Sequence, residues 1–160
     1  GTRAHVELAP GEAPARAEPR AAAPEAQAQR RRILLVDDDR ALLSSFSRAL
    51  ERRFEVAVAD GVEPALARLA AEPFDAVLCD VMMPDGGGER VYRTLQASAP
   101  AMAGRVVFVT GGTTTASARR FLDEQPQPVL EKPLDLSTLA RAVERLCSEG
   151  ASPARLHPVP

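Results

Sequence analysis

The 160-residue sequence has only two cysteines, two histidines and no long apolar run. Cys79 and Cys147 lie in separate apolar segments with no C-x-x-C spacing. That excludes a disulfide framework and a thiolate metal site, and it fits free thiols in a reducing, cytoplasmic setting. No stretch approaches the roughly 18–20 apolar residues that span a bilayer, and the N-terminus lacks the apolar core of an export signal. Charge of one sign is also missing: the net charge is −2, with acids interspersed among the arginines. Such a balance gives no electrostatic reason to expect nucleic acid or an anionic membrane as a partner. No glycine-rich phosphate loop follows the first apolar run, which argues against a nucleotide-binding domain of the usual kind.

What is present falls into three zones. "PGEAPARAEPRAAAPEAQAQ" (10–29) is rich in Ala, Pro, Glu and Arg and has no aromatic residue. Such a segment cannot bury enough apolar area to offset its ordering entropy, so residues 1–30 read as a linker. Residues 150–160 read as a short disordered tail. His5 and His157 sit in these flanks and read as solvated.

Between the flanks, short apolar runs recur at 33–36, 54–59, 75–79, 105–109 and 128–130. Most are continuous rather than alternating, as in strands buried on both faces. Helical periodicity separates them: Leu42, Leu43, Phe46, Ala49 and Leu50, then Val62, Leu66 and Leu69, then Val91 and Leu95, then Ala118, Phe121 and Leu122, and finally Leu136, Leu139, Ala140, Val143 and Leu146. Asp39 and Asp135 are placed as N-caps, and Pro64 falls in a first turn. Strand followed by helix, five times over, predicts an open α/β sheet covered on both faces. The working crevice of such a sheet lies at the carboxyl ends of its strands.

The residues at those ends carry chemistry. Asp37, Asp38 and Asp39 follow the first run, Asp80 the third, Thr110 the fourth and Lys132 the fifth. Each alone has a bland reading as turn, cap or surface charge. Together they would put several carboxylates, a hydroxyl and an ammonium in one small site. Two carboxylates about 4 Å apart repel by roughly 4 kcal/mol at an effective dielectric near 20, so a cation is needed to keep both ionised. Hard oxygen donors with open water positions suit Mg²⁺. A site of that kind fits a phosphoryl group, with an aspartate as the nucleophile.

"ILLVDDD", "DAVLCDVMMPDGGG", "VVFVTGG" and "PVLEKPL" resemble the receiver domains of two-component response regulators, over residues 31–149. The resemblance implies a flavodoxin-like (βα)5 fold, a doubly wound five-stranded parallel sheet of order 2-1-3-4-5. It implies a phosphorelay domain that accepts a phosphoryl group from a phosphohistidine, and promotes its own phosphorylation and dephosphorylation. Carried over by position, Asp80 is the phosphoacceptor. Asp38, Asp80 and the backbone carbonyl of Met82 hold Mg²⁺, with Asp37 acting through a water. Thr110 and Lys132 meet the phosphoryl oxygens, with the amides of Met82 and Gly111 as further donors. Asp39 is left as a cap.

The sequence departs from the family pattern at Val129, where the family often has an aromatic switch residue. Met82 and Gly112 stand where the family flanks the path of the hydrolytic water, and neither side chain can orient it by a strong hydrogen bond. "GTRAHVELAP" resembles the last strand of a histidine-kinase ATP-binding domain, over about residues 1–9. With Val129 and "VTGG", it implies the C-terminal receiver of a hybrid sensor histidine kinase whose membrane-anchored or soluble parent keeps this piece in the cytoplasm. The implied partner is a histidine-kinase dimerisation domain or a histidine phosphotransfer protein. It would dock near Ala41, Leu42 and Ser45. The isolated piece is expected to be monomeric, without nucleic-acid or membrane contact. A receiver-like docking module without phosphorylation and a magnesium-dependent phosphohydrolase are the competing readings. The complete acid, threonine and lysine set weighs against the first, and the lone Asp80 after the third strand against the second.

Overall fold

The computed structural model describes residues 30–112 and 114–149, so the expectations for 1–29 and 150–160 lie outside the described residues. Five strands, β1 (Arg32–Val36), β2 (Glu55–Ala59), β3 (Ala76–Asp80), β4 (Val106–Thr110) and β5 (Val129–Glu131), form one parallel sheet in the order β2-β1-β3-β4-β5. The expected sheet order is the observed one. The connecting helices are α1 (Arg40–Leu50), α2 (Val62–Ala71), α3 (Gly87–Ser98), α5 (Ala116–Asp123) and α6 (Leu136–Glu149). A one-turn helix, α4 (Pro100–Ala103), precedes β4 and corrects the simple count of five. Its proline occupies a first-turn position, where the missing N–H costs nothing, and Met102 and Ala103 fill the core beneath it.

The central strands β3 and β4 are buried along their whole length, which is why their sequences run continuously apolar. Successive side chains still alternate between two cores. Ile33, Leu35, Ala76, Leu78 and Val107 face α1 and α6, where Leu43, Leu50, Leu139 and Val143 cover them. Leu34, Val36, Val77, Cys79 and Phe108 face α2, α3 and α5. There Tyr92, Phe108 and Phe121 meet edge to face, with ring centroids 5.3–5.8 Å apart. Each large side chain so buried contributes roughly 1.5–3 kcal/mol. Leu136 departs from the expected stripe: it opens the first turn of α6 and stays exposed, and the helix meets the core only from Leu139 onward.

The caps fix where the first and last helices start. Asp39 accepts from the amides of Ala41 and Leu42, at 2.9 and 3.1 Å. Asp135 accepts from the Thr138 amide and from the hydroxyls of Ser137 and Thr138, which together hold its carboxyl well below the usual range. Both match the expected caps.

Candidate functional site

The sheet delivers four of the expected side chains to one point. Strand pairing continues one step past the strand ends: Asp37 N–H donates to the Ala59 carbonyl at 3.2 Å, Val81 N–H to Val109 at 2.9 Å, and Lys132 N–H to Thr110 at 2.8 Å. These bonds fix the backbone on which the polar side chains stand. Lys132 Nζ then lies 2.7 Å from Oδ2 of Asp37 and 2.7 Å from Oδ2 of Asp80. Oδ1 of Asp80 accepts from the Met82 amide at 2.9 Å, and Oδ1 of Asp37 accepts from the Asp39 amide at 2.8 Å. Each of the two acids therefore has both oxygens engaged.

Asp37 and Asp80 are buried and Asp38 is exposed, yet one carboxylate oxygen of each lies within 4.8 Å of the others. Burial is the largest influence on Asp37 and pushes its carboxyl up, against the hydrogen bonds from Lys132 and Asp39. Burial alone would lower the Lys132 ammonium. The hydrogen bonds to Asp37 and Asp80 and the charges of both outweigh it, and the ammonium is held above its ordinary value. Cys79 is adjacent to this cluster, and burial followed by the nearby acids pushes its thiol up, away from thiolate chemistry.

The turn after β3 explains its glycines. Asp85, Gly86 and Gly87 all have positive φ, at 60°, 92° and 53°. A Cβ on Gly87 would sit 2.1 Å from the Val81 carbonyl oxygen, and one on Gly88 would sit 2.8 Å from that of Asp80. The chain doubles back against the end of β3, and only glycine permits that approach. The Met82 amide is thereby presented to Asp80 while the Met82 side chain stays exposed.

Thr110 ends β4 beside this cluster and is buried, but its hydroxyl is engaged elsewhere. It lies 2.7 Å from the Thr114 hydroxyl and 3.3 Å from the Gly111 carbonyl oxygen. The sequence reading missed Thr114. It also passed over a direct signal at Lys132, the chain's one lysine among 20 basic residues. The candidate docking residues Ala41 and Ser45 are exposed on α1, Leu42 is half-buried, and the neighbouring Leu43 belongs to the core.

Three acids and a lysine are gathered at the carboxyl edge of a five-stranded doubly wound sheet, the architecture of the receiver domains. The comparisons agree: the family model described as "Response regulator receiver domain" matches residues 33–144, and the chain belongs to that family. It is 30% identical over 117 residues to the "Response regulator receiver protein CpdR" of Brucella abortus (strain 2308), covering 72% of this chain and 96% of that protein. It is 35% identical to the "Response regulator MprA" of Mycobacterium avium (strain 104), covering 72% of this chain and 50% of that protein. The chain thus spans half the length of one relative and nearly all of the other. A receiver domain protein (CheY-like) from Methanospirillum hungatei JF-1 superposes with a TM-score of 0.66 at 29% identity, covering 74% of this chain and 94% of that one. No helix among the described residues is long and apolar enough to cross a membrane.

Proposed function

We propose that this receiver domain accepts a phosphoryl group from a phosphohistidine onto the carboxylate of Asp80, with Mg²⁺ as cofactor. The observation that carries the reading is the single ammonium of Lys132 shared at 2.7 Å by Asp37 and Asp80. A lysine so placed holds charge where phosphoryl oxygens would arrive. Asp80 supplies the attacking oxygen; the donor's P–N bond breaks and a P–O bond forms. A donor imidazole protonated on its other nitrogen keeps the electron pair and leaves neutral. Lys132 exchanges its contact with Asp80 for one with the transferred group, and the Thr110 hydroxyl donates a hydrogen bond to another phosphoryl oxygen.

The acidic donor set fits a hard divalent cation: Asp37, Asp38 and Asp80 each bring a carboxylate oxygen, exposed Asp38 leaves a side open to water, and the Lys132 ammonium stands on the Asp37 and Asp80 side. Asp38, Asp80 and the Met82 carbonyl would hold Mg²⁺ directly, with Asp37 through a water. When bound, it offsets the negative charge of the carboxylates and of the phosphoryl oxygens. The test is Mg²⁺-dependent labelling by a small phosphoryl donor. Labelling of the wild type and none of Asp80→Asn is the expected result; equal labelling of the variant would overturn it.

The same reading assigns the chain to the cytoplasm, as the C-terminal receiver of a hybrid sensor histidine kinase. Its partner is a kinase dimerisation domain or a histidine phosphotransfer protein approaching over α1. The support is the motif "GTRAHVELAP", together with Val129 in the switch position and "VTGG". A reading frame that encodes dimerisation and ATP-binding modules upstream is the expected finding. One that encodes neither would remove the hybrid-kinase assignment.

A further inference from the structure

We propose that Thr114 is a positioning residue for Thr110, and that it transmits phosphorylation to the start of α5. The inference rests on Asp80 being the phosphoacceptor. Three contacts link Thr110, Thr114 and the Gly111 carbonyl: Thr110 to Thr114 at 2.7 Å, Thr114 to Gly111 at 3.1 Å, and Thr110 to Gly111 at 3.3 Å. Two hydroxyls have two protons between them. If Thr114 donates to Gly111, Thr110 donates to Thr114; if Thr110 donates to Gly111, Thr114 donates to Thr110. Either way the Thr110 proton stays inside the loop. The Thr110 hydroxyl can donate to a phosphoryl oxygen on Asp80 only by giving up the bond it donates here, to Thr114 or to Gly111.

The consequence reaches α5 because the next residue is its cap. Thr115 accepts from the Ala118 amide through its hydroxyl at 3.2 Å, and its carbonyl accepts from the Arg119 amide at 2.9 Å. One turn further on, Phe121 is fixed in the edge-to-face cluster with Tyr92 and Phe108. The helix is thus anchored at Phe121, while its first turn is tied to the site through Thr114. Val129, opposite Phe108 in the β4–β5 register, is exposed and makes no polar link that could do the same. The threonine pair supplies a coupling route that does not pass through the β5 side chain.

The test is residue-resolved hydrogen exchange at Ala118 and Arg119 in the unphosphorylated and phosphorylated protein, with labelling of Asp80 followed in the same samples. In the wild type, phosphorylation should speed exchange at these amides about fivefold, the size expected when one ordinary hydrogen bond is lost. Unphosphorylated Thr114→Val should already show the faster exchange and change no further on labelling. Thr114→Ser, which keeps the hydroxyl, should behave as the wild type. Failure to label Asp80 in the wild type would remove the phosphoacceptor reading itself. Normal labelling with a wild-type exchange response in Thr114→Val, or a Thr114→Ser that behaves like Thr114→Val, would overturn the role of Thr114 alone.

Discussion

Lys132 and Asp80, 52 residues apart in the chain, meet with Nζ 2.7 Å from Oδ2, and the same Nζ is 2.7 Å from Asp37. One partly exposed cation therefore stands between two buried acids. The pair of acids is held together by Lys132, and its loss has consequences for stability that a divalent cation can offset.

Lys132→Met is expected to lower the unfolding free energy by roughly 1–3 kcal/mol at pH 7. That is less than a fully buried pair would lose, because the ammonium is 23% exposed. Urea denaturation with and without Mg²⁺ measures it. The deficit should shrink when Mg²⁺ is added, since an added cation can stand in for the missing charge. An equal deficit in both conditions would contradict the assigned donor set.

The Lys132 ammonium also predicts a pH dependence. Its folded-state value lies above the ordinary 10.5. The folded state thus holds the proton more tightly than the unfolded one. The resulting stability is fully present below about pH 10.5 and is lost as pH rises through the folded value. Because Lys132 is the only lysine, amine acylation followed by peptide mapping reads its titration directly. Acylation should be slow below pH 10.5 and faster in Asp37→Asn. An ordinary lysine rate in the wild type would refute the bridged geometry.

Asp37 carries the opposite sign. Its carboxyl is raised by burial, so ionising it costs stability, and the cost appears as pH rises from 3.8 through the folded value. Burial supplies most of this cost, the hydrogen bonds from Lys132 and Asp39 offset part of it, and repulsion from Asp80 adds the least. Asp37→Asn should therefore be more stable than the wild type at pH 7. The gain should vanish below pH 3.8, where both states of the wild type are protonated. A variant that is less stable at neutral pH would sink this account.

Much of this architecture was legible because its signals are local. The continuous apolar runs announced the strands, and the acids, Thr110 and Lys132 stood where a parallel sheet presents its crevice. The sheet order came from the family resemblance, not from periodicity. What stayed hidden was set by contacts across the chain or was too short to leave a pattern. α4 spans four residues and has no periodicity to detect. β3, β4 and β5 end one residue later than their apolar runs, because Asp80, Thr110 and Glu131 still pair although their side chains are polar. Thr114 looked like one of several loop threonines, and only its 2.7 Å approach to Thr110 sets it apart.

The glycines after β3 give a test by contrast. Gly87→Ala forces a Cβ into the Val81 carbonyl at a φ of 53°, so the backbone must move. The expected loss is about 2–4 kcal/mol, with weaker phosphorylation because the Met82 amide shifts away from Asp80. Gly112→Ala meets nothing within 4 Å and should stay within about 0.5 kcal/mol of the wild type. Thermal unfolding of the two variants decides the matter, and a tolerated Gly87→Ala would show that the turn is not tightly packed.

The residues at the mouth of the site predict how long an aspartyl phosphate on Asp80 would last. Met82 is exposed and Gly112 has open space around it, so water can reach this region. Neither residue has a side chain that can orient or deprotonate a water strongly. Phosphate release in buffer with Mg²⁺ should therefore be slow, and Met82→Gln, which adds an amide able to hold a water, should speed it about tenfold. That is below the 10²–10⁴ of a true general base, because an amide positions a water without taking its proton. Release from the wild type within seconds, or a Met82→Gln rate equal to it, would mean that another group already prepares the water.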